Sequence, residues 1–172
     1  MTDWLYQIRI VVTSALSTDL RSRGTSTTAI KVTEIAKKYD MQAVCTYDAF
    51  KAYCEEAERN GLDGYSLYNW TKATLNNPAK REKHQKSFAF YRDNDQIYPK
   101  DVAESLYRDL LALNSPDILE VKLIDSNPEN NPQPLLKFQD TTCIIDIGHS
   151  SISTRSMVNT WTQLRNPKIL VG

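Results

Sequence analysis

The chain is short of the residues that build metal sites and disulfide frames. Its 172 residues hold three cysteines and two histidines, and their scatter lacks the paired spacing of a Cys/His zinc site. Cys45, Cys54 and Cys143 are odd in number and set in apolar segments, which suits reduced thiols packed as small hydrophobes. No metal and no cofactor is expected. Long apolar runs are missing too. Nothing approaches the roughly 20 residues that span a bilayer, and Asp3 and Trp4 stand where a signal peptide carries its basic patch. These absences point to a cytoplasmic protein with no membrane partner. Charge of one sign is also lacking in bulk: 21 cationic and 21 anionic side chains leave a net of zero, so a polyanion would have to be held locally. There is no internal repeat and no catalytic motif, which favours a non-enzymatic role.

What is present is an uneven charge distribution. Residues 1–71 carry 8 cations and 9 anions, 72–92 carry 6 and 1, 93–146 carry 4 and 11, and 147–172 carry 3 and none. A short basic island therefore precedes a long acidic stretch. Its centre, "NNPAKREKHQKSFAFYRDND" at 76–95, combines basic residues with three aromatics.

The periodicity along the chain gives an α+β expectation. Apolar positions Trp4, Ile8, Val11, Val12, Ala15, Leu16 and Leu20 recur at helical spacing, predicting an N-terminal amphipathic helix over 4–23 with Gly24 as its stop. Ile10, Val11 and Val12 weaken its intrinsic propensity. A short extended segment is expected at 29–32, and Thr33 then caps a helix with Ile35, Ala36, Tyr39 and Met41 on its apolar face. Thr46 opens the next helix, whose stripe is Phe50, Tyr53, Cys54 and Ala57 and whose stop is Gly61. Ser66 caps a third, carrying Leu67, Trp70 and Leu75 and ending before Pro78. The basic run 80–86 reads as a flexible link. Phe88, Phe90 and Ile97 around Asp93, Asn94 and Asp95 predict a β-hairpin. Three helices followed by a hairpin is the order of a winged helix.

From residue 99 the pattern changes. A periodic helix to about residue 114, with Val102, Ala103, Leu106, Tyr107, Leu110 and Leu113 inward, leads to a strand at 118–125 and an Asn/Pro-rich loop at 126–134. Two strands (135–138 and 142–147), a helix through Met157, Val158, Trp161 and Leu164, and a closing strand complete a small αβββαβ sheet domain. The expected organisation is an N-terminal helix plus winged-helix-like module over 1–98 and this sheet domain over 99–172.

Within the first part, "VTEIAKKYDMQAVCTYDAF" has the ingredients of a helix-turn-helix: small Ala36, turn residue Asp40, and anchors Ile35, Tyr39, Met41 and Phe50. The helix after the turn carries Asp48, Glu55, Glu56 and Glu58, which repel phosphate. In a winged helix the third helix enters the groove. Tyr68, Asn69 and Lys72 on that helix, then Lys80, Arg81, Lys83, His84, Lys86 and Arg92, are accordingly the candidate nucleic-acid-binding residues. Asn69 suits a base edge, and the cations suit phosphates. The blander reading of the same run is a solvated loop beside a generic three-helix packing.

Two other segments carry chemical suggestions. "SPDILEVK", with Asp117, Glu120 and Lys122 beside Glu104, resembles the "PD…ExK" signature of restriction-endonuclease-like nucleases, which implies a divalent ion held by carboxylates with a lysine at the phosphate. Here two residues separate Asp117 from Glu120, and the strand expected to hold ExK reads "CIIDIGHS" with Gly148 in the lysine position. If the fold is shared, an inactive sheet is expected. "IIDIGHSS" at 144–151 has one glycine and no flanking lysine, and is read as a core strand, a glycine turn and a capping serine.

The functional expectation is a non-enzymatic nucleic-acid-binding or regulatory protein acting on DNA or RNA. The alternative is an adaptor or assembly subunit that binds another protein. Self-association is expected through the N-terminal helix.

Overall fold

Alternation decides the start of the chain. In the computed structural model, which describes residues 5–93, 95–127 and 129–130, Tyr6–Val12 is strand β1. Ile8, Ile10 and Val12 are fully buried on one face. The helix expected over 4–23 is therefore a strand followed by a shorter helix, α1 (Ser14–Arg21), which Thr13 caps by accepting from the Leu16 amide. The physical reason is the run Ile10, Val11, Val12: β-branched side chains restrict helical rotamers and pack well on a pleated surface. With β1 inside the sheet, Ile8 and Val12 cannot form the dimer face expected of an N-terminal helix.

Helix α2 (Thr27–Lys38) starts at Ser26, whose side chain accepts from the Ala29 amide, so the extended segment expected at 29–32 is helical instead. Asp40, with φ of 57°, makes the left-handed turn that its type tolerates. Strand β2 (Gln42–Cys45) then precedes α3 (Thr46–Asn60). A strand thus separates the two helices of the expected helix-turn-helix. Phe50, Tyr53, Cys54 and Ala57 are buried as a stripe on α3, which Gly61 terminates at φ 90°.

Helices α4 (Tyr68–Asn76) and α5 (Pro78–Gln85) follow. The basic run is thus helix rather than flexible link. Asn77 accepts from the Lys80 amide and Pro78 occupies the first turn, the arrangement that starts a helix. Strand β3 (Ser87–Tyr91), α6 (Lys100–Ala112) and β4 (Ile118–Asp125) complete the described elements. The expected hairpin after residue 87 is reduced to a turn. β3 pairs with β1 and β2, while its return arm makes isolated bridges between Arg92 and Asp95 and between Tyr98 and Tyr6.

The four strands form one antiparallel sheet in the order β2-β3-β1-β4. Its front face presents Ile8, Ile10, Val12, Phe88 and Phe90 to Leu16, Val32, Ala36, Leu106 and Leu110 of the helices α1, α2 and α6. On the back, Arg9, Ala89 and Tyr91 meet Thr46, Ala49, Phe50 and Tyr53 of α3 around a small cavity of about 20 Å³. The molecule is an α+β fold, with β4 and α6 sharing the sheet and core of residues before position 98. The strands and the helix expected beyond residue 130, and the rest of the Asn/Pro-rich loop, lie outside the described residues.

Candidate nucleic-acid interface

Helix α5 owes its exposure to its sequence, "PAKREKHQ", which offers no apolar stripe; none of its residues is buried. Lys80, Arg81 and Lys83 are all exposed on it. They have no ion-pair partner among the described residues. Many cations elsewhere do: Arg21 with Asp48, Lys38 with Asp109, Lys51 with Glu55, Lys100 with Glu104, and Lys122 with Glu120. The one acid of α5, Glu82, is taken by Lys86 at 2.7 Å. Lys83 and His84 occupy the last turn, the end at which the helix dipole favours positive charge.

His84 differs from its neighbours. It is half-buried, its ring 5.0 Å from that of Phe50. Burial, then Lys83, Arg9 and Lys80, hold its pKa below the ordinary histidine value. The imidazole is neutral at pH 7, and it anchors α5 to α3 while the three cations beside it face water.

The α4 candidates are held otherwise. Glu58 on α3 accepts from the Tyr68 hydroxyl at 2.8 Å and from Lys72 Nζ at 2.6 Å. Those bonds lower the Glu58 pKa, with the lysine contributing most. Lys72 therefore arrives already neutralised, and Tyr68 has its hydroxyl engaged. Asn69 is exposed. Arg92 stands at the far end of β3 from α5, some five residues and roughly 17 Å along the strand. Its guanidinium donates to the Tyr39 carbonyl at 2.7 Å from Nη2 and lies over the Tyr98 ring at 5.6 Å. Of the nine sequence candidates, the fold gathers Lys80, Arg81 and Lys83 on one short helix, with Lys86 as its C-cap and His84 behind them. It gives Tyr68, Lys72 and Arg92 internal partners.

Glu58 and Arg9 escaped the sequence reading. Glu58 counts there only as a phosphate-repelling acid, because its pairing with Lys72 crosses between helices and leaves no local signal. Arg9 was signalled by being the one cation within the strand-like "YQIRIVV"; burial lowers its pKa and Tyr91 opposes that shift. Beside it Gln7 donates to Gln96.

The residues of the nuclease-like segment are held in separate pairs. Asp117 accepts from the Thr13 hydroxyl at 3.1 Å, Glu120 pairs with Lys122 at 3.0 Å, and Glu104 pairs with Lys100 at 3.8 Å. Among the described residues no group of three or more His, Cys, Asp or Glu side chains is placed to hold a metal ion. Cys45 and Cys54 are buried free thiols whose pKa values burial raises. No helix among the described residues is long and apolar enough to cross a membrane. No protein-family model, curated protein or solved structure matches the chain.

Proposed function

We propose that the protein is a non-enzymatic, cytoplasmic, regulatory nucleic-acid binder that docks the phosphate backbone on α5. One observation carries the reading: Lys80, Arg81 and Lys83 lie within four residues on an exposed helix and lack the acidic partners that occupy Lys72 and Lys86. Unpaired cations on a rigid element bind phosphate without first breaking an internal ion pair. The order α3, α4, α5 and then a strand supports a winged-helix-like docking unit in which β3 takes the place of the first wing strand. Asn69, exposed on the neighbouring helix, is the residue of that unit suited to a base edge.

The contacts proposed for α5 are to phosphates, so the binding is weakly selective for sequence and sensitive to salt. The test is fluorescence anisotropy on a mixed panel of DNA and RNA oligonucleotides at low salt. Lys80→Glu combined with Arg81→Glu is expected to lower affinity at least tenfold across the panel while leaving the melting temperature unchanged. Absence of binding by the unaltered protein, or equal binding by the variant, refutes the proposal.

A further inference from the structure

Strand β4 is one outer strand of the sheet among the described residues, with β1 on its other side. At eight residues it is also the longest of the described strands. An edge of that length presents a row of backbone donors and acceptors suited to another strand. Its side chains suit one partner in particular. Glu120 and Lys122 lie on the back face, opposite Val11 and Arg9, and Val121 lies on the front face, opposite Ile10. Between Val11 and Val12 the register shifts, leaving Leu119 at 61% exposure, the most exposed large apolar side chain described.

We propose that β4 pairs antiparallel with β4 of a second copy of this chain, about a two-fold axis through Val121. In that register Glu120 of each copy falls opposite Lys122 of the other, on the same face, and Val121 meets Val121. Glu120 and Lys122 already pair within the strand at 3.0 Å, so the dimer closes a ring of four alternating charges. Leu119 falls opposite Leu123. The neighbouring registers that keep each face are worse: one sets Glu120 against Glu120, the other Lys122 against Lys122, and like charges directly opposite destabilise a pair. The edge is thus charge-complementary to itself in a single alignment. The product is one continuous antiparallel sheet that joins the four described strands of each copy with isologous symmetry.

Pairing through one strand buries less than the roughly 1,200 Å² of a stable specific interface, so the dimer is expected to dissociate in about the micromolar range. Sedimentation velocity of the full chain across that range tests it, with circular dichroism as the folding control. The unaltered protein is expected to show a concentration-dependent monomer–dimer equilibrium. Glu120→Lys alone and Lys122→Glu alone each place like charges opposite at both symmetry-related pairs, and each is expected to weaken the dimer about tenfold or more. Glu120→Lys together with Lys122→Glu restores opposite charges and is expected to recover the original constant. A protein that stays monomeric at about 100 μM, or variants whose single and double exchanges associate equally, overturns the proposal. So does a monomer whose β4 amides resist hydrogen exchange on both edges, because another part of the chain then covers the strand.

Discussion

Tyr98 ties three backbone groups together at the end of β3. Its buried hydroxyl accepts from the Arg92 amide at 2.8 Å and lies 2.8 Å from the carbonyls of both Phe90 and Asp95. Its own amide and carbonyl bridge to Tyr6 on the central strand. Burial raises its pKa far above the tyrosine norm, so it acts as a neutral hydrogen-bonding peg. Tyr98→Phe strands those partners, and the expected cost in urea unfolding is about 1–3 kcal/mol. Thr71 and Thr74 run the opposite way. Both are buried on α4 with hydroxyls that find no hydrogen bond among the described residues. Thr71→Val and Thr74→Val are nearly isosteric and remove an unsatisfied group, so neither is expected to lower the melting temperature, and each is expected to raise it by about 2–4 °C. His84 supplies a pH dependence. Its folded pKa lies below the unfolded value, so the native state binds fewer protons. That contribution is complete above about pH 6.5 and is lost as pH falls through the folded value. The melting temperature is expected to drop between pH 7 and pH 5. His84→Phe, which keeps a ring against Phe50, is expected to flatten that drop.

At the level of elements, α5 shows what a local signal can do and how it is missed. Asn77 and Pro78 are an N-cap and a first-turn proline, yet next to a helix ending at Asn76 they also read as its stop. The cap is testable: Asn77→Ala is expected to cost about 1 kcal/mol of stability and to reduce binding by loosening the helix that carries Lys80, Arg81 and Lys83. The strand β1 shows a conflict of periods. Ile8, Val12, Leu16 and Leu20 fit a helix, while Ile8, Ile10 and Val12 fit a strand, and both sets are real because a strand and a helix meet at Thr13. β4 and α6 were legible almost to the residue, since each has one uninterrupted pattern bounded by Pro99, Ser115 and Pro116, and Asn127. The α3 stripe was legible for the same reason. Strand β2 was not: four residues between two helices give too short an alternation, and its order comes from pairing with β3, which lies 43 positions further on at Phe88 opposite Cys45.

For the whole molecule, the sheet order could not be read from the chain, because β1 lies between β3 and β4 and each of those pairings joins residues far apart in sequence. The basic cluster was legible as composition. Its availability was not, because that depends on which acids the fold brings near. Glu58 neutralises Lys72 and Glu82 neutralises Lys86, and Lys80, Arg81 and Lys83 are left facing solvent. The central claim is that this remainder engages phosphates, and counterion release measures it most directly. Plotting log affinity for a single-stranded oligonucleotide against log salt is expected to give a straight line with a slope of about −2, near −0.7 per phosphate contacted, and a shallower slope for Lys80→Glu with Arg81→Glu. A slope near zero, or the same slope in the variant and the unaltered protein, would contradict the account.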